Sequence, residues 1–338
     1  MNRFHKLLLT TFGLIALELL FALFFPFLRT VMLLLLAVEA FALILLPILK
    51  NKENKSREAV REKLYDGKTI QLDHGIVRYK LSGDGNSPVL IMINGFPMPL
   101  DIWERNAPDL AKNYRVLQFD LWGFGGSDTA SVRCDADLYG DQIIQLVHKL
   151  KLKGPFHLAA FSIGCTIAGR LAERSSEFKL GKIVLIGPVV RPMNISPYHW
   201  PIIGEYLTCL FIGQAMLNIF GGNFFYKKGL EKFRGLFFGQ LQVKGFRKAW
   251  LSCYRNLFPA ASPHIYKALA EHGTPVMILS GREDRIVSLD DSRLLQRELG
   301  WPLTLVENGG HSVQFECPEQ VNAEIDQFLK EDAVCLNR

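Results

Sequence analysis

From Leu7 to Leu49 the chain is almost wholly apolar. As one helix this run would extend about 64 Å at 1.5 Å per residue, whereas a bilayer core of about 30 Å needs only ~20 residues. Two passes fit better than one, and Pro26, Arg29 and Thr30 mark a turn between helices near 7–27 and 31–49. A single signal-anchor helix and a cleaved signal peptide are the alternatives; the run is long for the latter and lacks a small-residue cleavage site. Basic residues flank both outer ends: Arg3 and Lys6 before, then Lys50, Lys52, Lys55, Arg57, Arg61 and Lys63 after, with only Arg29 at the turn. That asymmetry predicts that both ends, and the domain beyond, lie on the cytoplasmic side of a membrane. Glu18 and Glu39 would sit at one depth in such a hairpin. Sharing a proton or a hydrogen bond would offset their cost there, the alternative being separate protonation or a partner subunit.

The full chain of 338 residues has room for an anchor plus one large domain, or for two ordinary domains. A net charge of +6 suits an anionic membrane surface and falls short of a nucleic-acid-binding signature, so no nucleic-acid partner is expected. No phosphate-cradling GxxxxGK[ST] and no dinucleotide fingerprint is present, which leaves no expected cofactor. Cysteines 134, 165, 209, 253, 317 and 335 are scattered without a CxxC. Free thiols are the expectation, rather than a metal site or a disulfide framework.

Beyond a charged linker at 51–67, "KTIQLDHGIVRYKLSG" (68–83) alternates as an edge strand pair. Short continuous apolar runs follow at 88–94, 114–120, 156–161, 182–187, 275–281 and 303–308, as expected of strands buried on both faces. Helix-like stretches near 102–112, 137–151, 164–174, 288–299 and 318–330 separate most of them. Such alternation predicts a mostly parallel α/β sheet covered by helices on both faces. Residues 189–265 break the rhythm and read as a helical insertion rich in aromatic and basic residues. The expected organisation is an anchor over 1–50, the linker over 51–67 and a core over 68–188 and 266–331. A cap over 189–265 and a tail over 332–338 complete it.

In such sheets reactive groups gather beyond the carboxyl ends of the strands. Ser162 follows "FHLAA", the acidic pair Glu283 and Asp284 follows "PVMILSG", and His311 follows "LTLVEN". A serine hydroxyl is a weak nucleophile until a base takes its proton, and a histidine steadied by a carboxylate can do this near neutral pH. Ala160 and Gly164 flank the serine at two positions on either side, as a sharp strand–turn–helix requires. Two backbone N–H groups should hold the oxyanion: that of Ile163, after the serine, and that of Phe96 in "NGFP".

Five motifs in order, "NGFPMPLDIW" (94–103), "DLWGFGGSD" (120–128), "AFSIG" (160–164), "GREDRIV" (281–287) and "GGHSVQFECPEQV" (309–321), resemble the α/β-hydrolase superfamily, in the branch that carries a helical cap. The resemblance covers roughly residues 68 to 331. It implies Ser162 as nucleophile, His311 as base, Asp284 rather than Glu283 as the acid, and Asp120 as a structural carboxylate. Two departures stand out: Ala160 replaces the first glycine of G-x-S-x-G, and Asn94-Gly95 replaces the usual His-Gly, a change expected to bear on substrate preference. The implied activity is hydrolysis of an ester or thioester of an apolar, possibly lipid, substrate. C–C bond hydrolysis, acyl transfer and a catalytically silent interaction protein are the alternatives. Epoxide hydrolases and haloalkane dehalogenases of the superfamily use an aspartate nucleophile, which Ser162 argues against. In the insertion, Phe and Leu recur near i, i+3 and i+4 among basic residues. This reads as a lid packed on the core or as a face lying on a membrane.

Overall fold

The computed structural model describes residues 10–17, 20, 29–174, 178–226 and 229–331. It divides into two compact units, 1–51 and 52–338. In the first, residues 10–17 are helical and helix α1 runs Arg29–Lys50 with no buried residue. Its 22 residues would span about 33 Å, enough to cross a bilayer core. Arg29 and Thr30, expected in a turn, belong to this helix. Pro26 and Glu18, on which the hairpin turn and the acid pairing rest, lie outside the described residues.

The second unit opens with helix α2 (Arg57–Leu64), whose Ser56 cap accepts a hydrogen bond from the Ala59 amide at 3.2 Å. The strands are β1 (Lys68–Leu72), β2 (Gly75–Ser82), β3 (Val89–Ile93), β4 (Arg115–Phe119), β5 (Phe156–Phe161), β6 (Leu180–Ile186), β7 (Val276–Gly281) and β8 (Leu303–Val306). They form one sheet in the order β1-β2-β4-β3-β5-β6-β7-β8. β1 and β2 pair antiparallel and β2 joins β4 antiparallel, while every later pairing is parallel. All five residues of β3 are buried, the outcome that a continuous apolar run predicts for a strand covered on both faces.

Helices α3 (Ala107–Leu110), α4 (Ala136–Lys149), α5 (Gly164–Ala172), α6 (Ile203–Asn223), α7 (Glu231–Gly239), α8 (Phe246–Asn256), α9 (Pro263–Glu271), α10 (Leu289–Leu299), α11 (Val313–Glu316) and α12 (Pro318–Lys330) complete the unit. The insertion after β6 contains α6 to α8 and no strand among the described residues. Helix α9 straddles the expected boundary at 265/266 and packs on α5 of the core. A Cβ on Gly169 of α5 would lie 2.1 Å from Ile265 Cγ2, so these two helices approach as only glycine allows, and Tyr266 donates to the Val189 carbonyl at 2.8 Å.

The stretch read as a linker is fastened down. Arg57 donates to the carbonyls of Gly123 and Gly125, each at 3.0 Å, and Arg61 donates to the Gly126 carbonyl and pairs with Asp128. Burial pulls the Arg57 guanidinium down to about 10, against the raising effect of Tyr65 and Asp128. Two of the basic charges counted as flanking a membrane therefore point into the domain. The Glu53 carboxylate accepts from the Arg247 amide of α8 at 2.6 Å, and the Lys55 carbonyl from the Lys244 amide at 2.9 Å.

Under the sheet edge, Arg78 of β2 is 1% exposed and donates to Asp101 at 2.8 and 2.9 Å and to Asp120 at 3.0 Å. Burial alone would disfavour its charge, and the two carboxylates more than reverse that. Asp120 also accepts from the amides of Leu100 (2.6 Å) and Gly126 (2.7 Å), which fixes the turns on either side of it. Gly125 lies at φ +51°, and a Cβ there would meet the Asp120 carboxyl at 2.3 Å. Arg78→Ala is expected to cost about 3–5 kcal/mol, because it strands two buried carboxylates. An unchanged thermal unfolding midpoint would contradict this.

Candidate active site

The end of β5 turns sharply into α5, and the corner residue is Ser162 at φ +57°, a conformation that side chains other than glycine, Asn and Asp seldom adopt. Two bonds hold it there: the Ser162 amide donates to the Ile186 carbonyl of β6 at 2.8 Å, and the Ser162 carbonyl accepts from Cys165 at 3.0 Å. The small neighbours have a steric reason. A Cβ on Gly164 would lie 2.7 Å from the Asn94 carbonyl oxygen, whereas at Ala160, buried in the sheet, one methyl is accommodated. Strain of this kind is relieved by glycine, so Ser162→Gly is expected to be about 1 kcal/mol more stable than Ser162→Ala. Paired denaturant melts of the two variants check it.

His311 follows β8 on a turn containing Gly309 and Gly310. It is 2% exposed, with Nε2 2.8 Å from Ser162 Oγ and Nδ1 2.7 Å from Asp284 Oδ2. An ionised carboxylate only accepts, so the proton sits on Nδ1 and Nε2 presents its lone pair to the serine hydroxyl. Asp284 uses its other oxygen to accept from the amides of Ile286 (2.8 Å) and Val287 (2.9 Å), which aims Oδ2 at the imidazole. The Phe161 ring packs against the imidazole with centroids 4.9 Å apart. Glu283, the rival acid, makes no hydrogen bond to His311 among the described residues; its amide donates to the Gly309 carbonyl at 3.0 Å. Cys165, next to the elbow, is fully buried and donates to the Ala160 carbonyl at 3.1 Å, and burial pushes its thiol pKa up, so it stays protonated.

The loop after β3 passes directly over the serine. A Cβ on Gly95 would lie 2.8 Å from the Phe161 ring and 3.0 Å from Ser162 Cβ. The next residue is Phe96, and neither its amide nor that of Ile163 donates a hydrogen bond within the described residues. Both N–H groups are therefore free for an oxygen arriving at Ser162. Asn94, where a histidine is usual, has a role that the sequence did not indicate. Its side chain is fully buried, accepts from Trp103 Nε1 at 2.9 Å and donates to the Phe119 carbonyl at 2.9 Å and the Met98 carbonyl at 3.3 Å. It braces the loop that carries Phe96 and does not line the cavity above Ser162, so the expected effect on substrate preference lacks a direct contact.

That cavity holds about 510 Å³ and is lined by Ser162, His311 and Phe96 at its base. Trp250, Tyr254 and Phe258 of the insertion form an aromatic wall. The Phe96 ring lies 5.0 Å from Phe258 and 5.6 Å from Trp250, and Trp250 stacks on Tyr254 at 4.8 Å. Ile219 of α6 closes a further side. Among the described residues no cluster of side chains could hold a metal ion.

Comparison with known proteins gives the family. Residues 90–324 match the alpha/beta hydrolase family. The chain is 26% identical over 259 residues to the AB hydrolase superfamily protein YisY of Bacillus subtilis, covering 72% of this chain and 92% of that protein. It is 25% identical over 268 residues to the monoacylglycerol lipase abhd6-B of Xenopus laevis, covering 72% and 76%. A thermophilic esterase from Thermogutta terrifontis superposes with a TM-score of 0.67 at 19% identity, covering 78% of this chain and 98% of that one. Other relatives are an esterase, epoxide hydrolases and non-heme chloroperoxidases. Since the match takes in most of the chain, from β3 to α12, this protein is an enzyme of the alpha/beta hydrolase family.

Proposed function

We propose that the protein is a membrane-anchored serine hydrolase that cleaves an ester or thioester of an apolar, lipid-like substrate through an acyl-enzyme. The observation that carries this reading is the continuous hydrogen-bonded line from Asp284 through His311 to Ser162, at 2.7 and 2.8 Å, beneath an aromatic cavity. Ser162 Oγ attacks the substrate carbonyl as His311 Nε2 takes its proton. Asp284 holds the imidazole in the right tautomer and stabilises the imidazolium. The amides of Phe96 and Ile163 donate hydrogen bonds to the carbonyl oxygen as negative charge develops on it. His311 then returns the proton to the leaving group, and water repeats the sequence on the acyl-enzyme. No cofactor enters the scheme. C–C bond hydrolysis and acyl transfer would use the same side chains, and a panel of esters with graded acyl chains, assayed with and without an acceptor alcohol, separates them.

A fluorophosphonate probe tests the nucleophile directly. Labelling of the wild type at Ser162, lost in Ser162→Ala, is the expected result, and a wild type that resists labelling would refute the reading.

Support for the membrane assignment comes from α1, long and apolar enough to cross a bilayer, and the basic residues that follow it are the reason for placing the catalytic domain on the cytoplasmic side. Helix α6 is also long and apolar. Several apolar side chains around the insertion are exposed, among them Trp200, Ile202, Ile203 and Leu217. These favour a cap that touches a membrane surface, over a lid packed wholly on the core. The protein lacking residues 1–50 should still bind liposomes and prefer longer acyl chains; failure on both counts removes the membrane-feeding part.

A further inference from the structure

The cavity above Ser162 changes character between its buried and its exposed parts. The buried part is apolar, with Phe96, Trp250 and Phe258 packed together. Where the wall becomes exposed it carries two guanidinium groups, Arg191 and Arg285, while the one carboxylate of the lining, Asp291, is buried. Arg191 Nε lies 3.3 Å from Asp291 Oδ1. Arg285 has no ion-pair partner among the described residues; its guanidinium carbon lies 5.5 Å from the centroid of the Phe225 ring.

Arg285 is also well placed by its backbone. It stands between Asp284 and the two amides, of Ile286 and Val287, that Asp284 Oδ1 accepts. The turn that aims Asp284 at His311 therefore also presents Arg285 to the mouth of the cavity. A guanidinium offers a planar fork of donors that matches a carboxylate or a phosphate, and an unpaired one beside an apolar channel favours an anion over a neutral group.

We propose that the substrate is an amphiphilic ester whose apolar part fills the aromatic end of the cavity, while an anionic group, carboxylate or phosphate, is held at the mouth by Arg285 with Arg191. This rests on the ester-hydrolase reading above and narrows its substrate class. No covalent step is added; the arginines act on binding and orientation, and their attraction weakens as salt rises.

The test uses the full chain in neutral detergent micelles and three esters with one acyl chain: a 1-acylglycerol, its 3-phosphate and its 3-hemisuccinate, each followed by fatty-acid release. The expected result is a kcat/KM about tenfold or more higher for an acidic ester than for the neutral one at low salt, the range of a hydrogen bond to a charged group. The preference shrinks in high salt. Arg285→Glu brings the acidic-to-neutral ratio to one or below, and Arg285→Lys, which keeps the charge and loses the fork, retains part of it. A larger effect on the phosphate or on the hemisuccinate identifies which anion the mouth takes. Equal turnover of the three esters by the wild type overturns the proposal, as does a preference that survives Arg191→Glu and Arg285→Glu together. Fluorophosphonate labelling of Ser162 without hydrolysis of any of the three overturns it and leaves the hydrolase reading standing. Absence of both labelling and hydrolysis overturns the two together.

Discussion

Ser162→Ala is expected to lower kcat for ester hydrolysis by roughly five to six orders of magnitude. The reason is specific to where the hydroxyl sits. Its oxygen is 2.8 Å from His311 Nε2, on a corner whose backbone is held by the Ile186 carbonyl, so no neighbouring group can reach the same point in its absence. Cys165, the one other nucleophile of the elbow, is buried and kept protonated. The oxyanion donors and the cavity survive the substitution, which leaves a small rate above that of water. Steady-state hydrolysis of a p-nitrophenyl ester, with the folded state checked by thermal melting, measures the loss. A residual activity within a hundredfold of wild type would show that the chemistry runs elsewhere.

Asp284→Asn is expected to lower kcat by about four orders of magnitude with little change in fold. The asparagine side chain is nearly isosteric, and its oxygen can still accept from the amides of Ile286 and Val287 at the positions where Asp284 Oδ1 does so at 2.8 and 2.9 Å. Its NH₂ group then faces His311 Nδ1 as a donor and selects the tautomer with the proton on Nε2, which is the wrong end for accepting one from Ser162. The loss should fall on kcat with KM almost unmoved, since the site of the change does not line the cavity. Glu283→Gln is the comparison variant. Its side chain makes no bond to His311 among the described residues, so an equal loss there would reassign the acid.

Much of the sheet could be read in advance from single runs. "PVLIMIN" becomes β3 and "FHLAAF" becomes β5 because a strand buried on both faces needs an unbroken apolar stretch, and that demand is met by neighbours in sequence. The elbow was legible for a similar reason. Ala160 and Gly164 stand two positions from Ser162, and the collisions that make them small are set by one turn of chain. The choice between Glu283 and Asp284 could not be made from adjacent residues alone; it follows from which carboxylate the 284–287 turn points at the imidazole.

Other residues carried the wrong local signal. Arg57 and Arg61 sit beyond an apolar segment and look like flanking charges, yet their partners are carbonyls at 123–126 and a carboxylate at 128. Arg78 reads as the polar member of an alternating edge strand and is instead among the most buried side chains of the domain, neutralised by Asp101 and Asp120. Asn94 looks like a variation in a site motif and proves to be a brace between the segment after β3 and the end of β4.

By itself the sequence determined the order of strands and helices, the sharp corner at Ser162 and an apolar helix at the start of the chain. Each of these depends on steric and solvation preferences that act over a few consecutive residues. The tertiary structure alone decided which distant groups would meet. A hydroxyl, an imidazole and a carboxylate separated by up to 149 positions come within hydrogen-bond distance only when parallel strands stack in register. Buried charges such as Arg78 find counter-charges for the same reason, because desolvation is tolerated only where folding brings the partner.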